Sequence, residues 1–115
     1  MIKKVYRLNE TEVKKVLKYW KPFFSYGIVS NSAVNKLPYN RFAIIIWGKS
    51  VTGSISRNFF RRKFYDETKD SITKVQNNTG KDIVFVIKKQ TKLDKKDFES
   101  IKLFEKDVNF LLYKI

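Results

Sequence analysis

Neither cysteine nor histidine occurs in the 115 residues, and glycine (four), proline (two) and methionine (one) are scarce. The missing cysteines exclude disulfides, thiolate nucleophiles and zinc–thiolate clusters. The missing histidines remove the commonest general base and the commonest metal ligand. Chemistry by the chain's own side chains would rest on carboxylates, lysine or serine. The longest apolar runs, at 42–47 and 83–87, fall far below the roughly 20 residues a membrane-spanning helix requires. Residues 1–7 lack the apolar stretch of a secretory signal, so a cytoplasmic chain with no membrane partner is expected. No repeat and no low-complexity linker interrupts the sequence, and its length suits one domain over 1–115.

What the chain has in excess is positive charge and aromatic rings. It carries 25 Lys or Arg against 11 Asp or Glu, a formal charge of +14, with 43% hydrophobic and 16% aromatic residues. That apolar content calls for a packed core and excludes a basic disordered tail. The charge is uneven. Residues 1–63 hold 14 Lys or Arg and only Glu10 and Glu12; residues 64–115 hold 11 Lys and nine acids. All five arginines lie in the first part. Arginine suits bidentate contact with phosphate and stacking on bases. The asymmetry therefore points to a nucleic-acid partner and leaves the second part as an ordinary mixed-charge surface.

The periodicity predicts the elements. Asn9 and Glu12 form a capping-box pattern, and Val13, Val16, Leu17 and Trp20 follow at the spacing of one helix face that ends at Pro22. Residues 26–34 are a weak strand and 35–40 a turn. Residues 41–47 and 82–88 are apolar on both faces and read as buried strands. A helix is expected from about 54 to about 75, closed by Gly80 in a positive-φ conformation. A last helix starts at 94–97, with Phe98, Ile101, Phe104, Val108 and Leu111 or Leu112 facing the core. The order α-β-β-α-β-α, with two strands joined through a helix, predicts an α/β sandwich. Its small sheet contains a parallel pair and carries helices on its faces. Phe42, Trp47, Phe60, Phe64, Phe85, Phe98 and Phe104 are expected in the core.

The segment 54–65 carries the functional signal. Advancing 100° per residue places Ile55, Phe59, Phe60 and Phe64 on one half of the helix and Arg57, Asn58, Arg61, Arg62 and Tyr65 on the other. Arg57 and Arg61 repel at the i,i+4 spacing, and no acid precedes Asp66 to relieve them. Such a local violation of stability rules is expected where a helix face serves a ligand. The preceding Gly48-Lys49-Ser50-Val51-Thr52-Gly53 loop supplies backbone N–H groups, hydroxyls and a lysine beside a helix start, a setting suited to phosphate. It lacks the order of a Walker A loop.

Residues 48–62 resemble the signature of the protein component of bacterial ribonuclease P, approximately K-[KR]-x-G-x-A-V-x-R-N-R-x-[KR]-R, and the resemblance in element order extends over nearly the whole chain. Phe59 and Tyr65 stand where that pattern has arginine, and Thr52 aligns with its glycine. The resemblance implies an α/β sandwich with a sheet of about four strands and a left-handed βαβ crossover. It implies that Lys49, Ser50, Arg57, Asn58, Arg61, Arg62 and Tyr65 contact the catalytic RNA subunit. It also implies a cleft for the 5′ leader of precursor tRNA, drawing on Val13, Leu17, Tyr19, Trp20, Phe24 and Tyr26, with Phe23 nearby. No catalytic residue and no metal ligand is then expected in the chain. The Mg2+ for 5′ maturation of tRNA would be held mainly by the RNA, and no obligate protein partner is expected.

Two other readings share the charge. One is a structural RNA-binding protein of ribosomal type, without the leader cleft. The other is a protein nuclease with a metal on Asp66, Glu67 and Asp70, of which Asp66 and Asp70 share a helix face.

Overall fold

In the computed structural model, residues 3–18, 22–75, 77–88 and 91–114 are described. The capping box forms: the Asn9 amide donates to Glu12 Oε1 (2.9 Å) and the Glu12 amide to Asn9 Oδ1 (2.8 Å). It opens α1, Glu10–Lys18. Three strands follow, β1 (Pro22–Phe24), β2 (Ile28–Val34) and β3 (Arg41–Ile45), then α2 (Ser54–Thr68), β4 (Lys81–Ile87) and α3 (Phe98–Lys114).

The sheet order is β1-β2-β4-β3. β4 runs antiparallel to β2 and parallel to β3, with Phe85 opposite both Ser30 and Ile44. The fold is thus a mixed α+β arrangement with a four-stranded sheet and three helices, and the expected parallel pair is β3–β4, joined through α2. β1 is an addition to the strands the periodicity predicts: Pro22 does not only end the first helix but opens an edge strand, a position that tolerates its missing N–H. Phe23 pairs with Ser30, and Phe24 with Val29.

Side chains alternate across β3 and β4 into two cores. Phe42, Ile83, Phe85 and Ile87 face α2 and α3 and pack with Phe60, Phe64, Phe104, Val108 and Leu111. Ala43 and Val84 face α1 and pack with Leu8 and Val16, flanked by Val13 and Ile45. β4, a central strand, and β3, the edge strand beside it, are therefore both buried on both faces, which explains their unbroken apolar runs.

Several core expectations are corrected. Trp47 is exposed because β3 ends at Ile45, and its backbone carbonyl instead accepts the amides of Ser50 and Val51 (3.0 and 3.1 Å). Phe98 is 67% exposed, since it is the first residue of α3 and precedes the buried stretch; its ring meets the Lys102 ammonium, 4.6 Å from the centroid. α3 starts after Asp97, whose carboxylate accepts the Glu99 amide and the Ser100 hydroxyl (both 3.1 Å).

α2 stops at Thr68, and a single 3-10 turn at 69–71 replaces its expected continuation. The positive φ values beyond it belong to Asn77 (53°) and Asn78 (59°), not to Gly80. Gly80 is glycine for room: an added Cβ would lie 1.9 Å from the Tyr39 carbonyl oxygen. There its amide donates to Leu37 O (2.6 Å) and its carbonyl accepts the Asn35 amide (3.1 Å), joining the β2–β3 turn to the start of β4.

Candidate nucleic-acid interface

The buried stripe of α2 is Phe60, Phe64, Tyr65 and Thr68. The wheel drawn through Ile55 misjudged its centre. α3 lies along the flank carrying Lys63 and Glu67, which pair with Glu105 (2.8 Å) and Asn109 (3.0 Å). The core side is thereby turned toward Tyr65, and Ile55 is left 69% exposed.

Tyr65 is accordingly buried, away from the Arg face where the wheel placed it. Its ring packs on Phe64 at 5.2 Å, and the Arg7 guanidinium lies 5.9 Å from its centroid. Burial pushes the phenol pKa above its ordinary value near 10, against the opposing pull of Arg7 and Arg61.

The other motif residues stay at the surface. Asn58 and Arg62 are exposed, and Arg57 and Arg61 half-buried. Arg57 Nη1 donates to Val51 O (3.1 Å), which ties the helix to its loop. Arg61 Nη1 donates to Asn58 Oδ1 (2.7 Å). Among the described residues neither arginine meets a carboxylate. The result is a pre-positioned fork of guanidinium groups with spare N–H donors, the geometry that suits phosphate oxygens.

Arg41 differs. Its Nε and Nη2 hold both oxygens of Asp82 (2.8 and 2.7 Å), and its Nη1 holds Glu12 of the capping box. Those hydrogen bonds to Asp82 raise its pKa above the ordinary arginine value. One of the five arginines of the basic half is thus consumed in joining α1 to β3 and β4.

The loop 48–53 divides in two. Ser50 is buried; its hydroxyl donates to Lys88 O (3.1 Å) and its carbonyl accepts the Leu93 amide (2.9 Å). Lys49 is exposed, and its carbonyl accepts the Lys92 ammonium at 2.6 Å. Gly53, at φ 91°, caps α2 without a side-chain acceptor, and the first turn holds no acid. Lys49, Lys92 and Lys96 surround one cleft of about 580 Å3 with Thr52 and Ser56. Lys92 and Lys96 come from the half whose charge is nearly balanced in sequence, where the lysine-rich connection before α3 is the one local sign of them.

The residues expected in a leader cleft separate. Val13 packs on the α1-side core, and Leu17 is exposed on the same helix. Tyr19 and Trp20 lie outside the described residues. Phe23 is exposed on β1. Phe24 and Tyr26 stand against Leu103, Lys106 and Phe110 of α3, in the other helix layer.

Asp66, Glu67 and Asp70 border one hollow with Lys74 and Tyr113. Among the described residues no group of three or more His, Cys, Asp or Glu is arranged to hold a metal ion. Nor is any described helix long and apolar enough to cross a membrane.

No protein-family model matches the chain, and no curated protein matches it in sequence. Its backbone is similar to that of the ribonuclease P protein of Staphylococcus aureus, solved as a mutant with defective mRNA degradation activity. The match covers 96% of this chain and 87% of that one, with a TM-score of 0.69 and 18% identity. At that identity the likeness is one of fold.

Proposed function

We propose that the chain is the protein subunit of a ribonuclease P, binding a catalytic RNA and aiding 5′ maturation of precursor tRNA. The observation that carries this reading is the α2 face. Arg57, Asn58, Arg61 and Arg62 stand beside a lysine-bearing loop, and among the described residues no carboxylate pairs with Arg57 or Arg61, in a fold similar to a ribonuclease P protein. The face has too many like charges to be justified by helix stability and the right donors to clamp a folded RNA backbone.

In this reading hydrolysis belongs to the RNA, which holds the Mg2+. The chain lowers the electrostatic cost of bringing two RNAs together, so less metal is needed. The leader passes along α1 near Val13 and Leu17, where apolar and aromatic contacts tolerate any base sequence. Lys49 and the α2 arginines contact backbone phosphates; Ser50 and Tyr65 hold the loop and helix in place from inside.

Purifying the chain from its native cells and sequencing the attached RNA tests this reading. Ribonuclease P RNA is the expected result. Ribosomal RNA in its place would replace the reading with that of a ribosomal-type binding protein. Metal-dependent cleavage by the chain alone would move the chemistry into the protein.

A further inference from the structure

Three clefts along one side of the molecule share walls. The first, about 520 Å3, lies between the β1–β2 turn and α3 and is lined by Phe24, Tyr26, Leu103, Lys106 and Phe110, with Asp107 beside them. The second, about 470 Å3, shares Tyr26, Leu103 and Asp107 and adds Lys92 and Leu93. The third is the Lys49–Lys92–Lys96 cleft at the start of α2, which shares Lys92 and Leu93 with the second. Through these shared walls they run from an aromatic end to the loop and first turn of α2, at Thr52 and Ser56.

The chemistry changes along it. At the far end Tyr26 is 83% and Phe24 60% exposed, with Phe110 and Leu103 about half exposed. Leaving such rings in water is unfavourable unless something covers them. The turn that carries them is held rigidly. Asp107 accepts the Ser25 hydroxyl (2.6 Å) and the Gly27 amide (3.1 Å), and the Lys88 ammonium donates to Ser25 O (2.9 Å). The same ammonium lies 5.9 Å from the Phe24 ring centroid.

Two acids line the groove: Asp107, buried and bonded as described, and Asp94, exposed and accepting the Lys96 amide (3.0 Å). Against them stand the four exposed lysines Lys106, Lys92, Lys49 and Lys96, which leave the walls net positive. An anionic partner that offers flat faces to exposed rings fits this surface. Single-stranded nucleic acid has both properties; a duplex keeps its base faces stacked inside.

We propose that this groove holds a single-stranded RNA segment. Bases stack on Tyr26 and Phe24, and phosphates follow Lys106, Lys92 and Lys96 toward α2. The proposal deepens the RNA-binding reading and rests on it for the choice of RNA as the polyanion. It assigns a function to the α3 side of the sheet, distinct from any path along α1. The strand belongs either to the precursor's leader or to an unpaired stretch of the partner RNA.

The test is fluorescence anisotropy with a labelled, unstructured oligoribonucleotide of about ten nucleotides and the full chain. Phe24→Ala with Tyr26→Ala is expected to weaken binding by about ten- to a hundredfold, the loss of one to two stacked bases. Lys92→Gln with Lys106→Gln is expected to lower the salt slope by about 1.4, at about 0.7 per phosphate on a single strand. Tyr113→Ala, 79% exposed but outside the groove, is expected to bind as the parent does. Parent-like affinity in both pairs overturns the proposal, as does an equal loss in Tyr113→Ala. A change in sedimentation without a change in oligonucleotide binding overturns it in favour of a protein–protein surface.

A photo-crosslinker at position 26, in a complex with catalytic RNA and precursor tRNA, separates the sources. Attachment to the precursor assigns the leader, attachment to the catalytic RNA assigns the partner, and attachment to neither overturns the proposal. Oligonucleotide binding needs no catalytic RNA, so its outcome is independent of whether the chain aids tRNA processing.

Discussion

Arg41 and Arg62 belong to the same basic half of the chain, but Arg41 is held by two carboxylates and Arg62 is exposed, so replacing each by glutamine is expected to separate stability from binding. Arg41→Gln removes two hydrogen bonds to Asp82 and one to Glu12, leaving two partly buried carboxylates without their cation. Charge-assisted bonds of this kind contribute about 1.5–3 kcal/mol each when well shielded. These side chains keep some contact with solvent, so the three bonds together are discounted to about 2–4 kcal/mol. For a domain of this size that is a fall in Tm of about 8–16 °C. Arg62→Gln touches an exposed side chain and is expected to change stability by less than about 0.5 kcal/mol.

In RNA binding the order reverses. Measured against salt, below both melting transitions, Arg62→Gln is expected to lower the slope by about 0.9, one backbone phosphate of a duplex. Arg41→Gln is expected to leave the slope unchanged. Urea unfolding and filter binding at several salt concentrations are sufficient. An Arg41→Gln chain as stable as the parent, or an Arg62→Gln chain with an undiminished salt slope, would refute the division of labour between the two residues.

Gly80→Ala must push Tyr39 or the start of β4 aside, because the backbone oxygen 1.9 Å from the new Cβ cannot swing away; a loss of about 2–4 kcal/mol is expected by urea unfolding. Asp107→Asn keeps the shape but weakens the bonds to Ser25 and Gly27, so amide exchange at the β1–β2 turn is expected to quicken with little change in exchange at β4. The raised pKa of Tyr65 means that the folded chain keeps this proton when an unfolded chain loses it. Its contribution is full below about pH 10 and is lost as pH rises through the folded value. Tyr65→Phe is therefore expected to flatten the alkaline fall in stability, seen in unfolding curves between about pH 9 and pH 11, while its salt slope for RNA stays that of the parent.

Local signals translated well into structure. The capping box formed because both of its bonds lie within four residues, and the two doubly buried strands followed from their unbroken apolar runs. Phe60 and Phe64 lie in the core as the wheel required. Errors arose where the deciding partner was distant in sequence. Ile55 and Tyr65 exchanged faces because α3 covers a flank of α2 that no local period reveals. Trp47 lies just past the end of β3 and Phe98 is the first residue of α3, positions where a residue or two decide between core and solvent. Gly80 was read for its φ, whereas its reason is a carbonyl some 40 residues earlier in the chain. Arg41 counted toward the basic field until Asp82 and Glu12 were seen to hold it. The lysines before α3 looked balanced in sequence, and only folding sets Lys92 and Lys96 beside Lys49. The clustering of Arg57, Asn58, Arg61 and Arg62 on the surface of α2 was legible because a helix brings i and i+4 together without help from the rest of the fold.

The central claim is that this chain assists an RNA that does the cutting. The most direct measurement is cleavage of precursor tRNA by the cognate ribonuclease P RNA at low Mg2+, with and without the chain. A clear gain in rate is expected with the parent chain and a smaller gain with Arg57→Ala combined with Arg61→Ala. An RNA that cleaves equally well without the chain would contradict that claim.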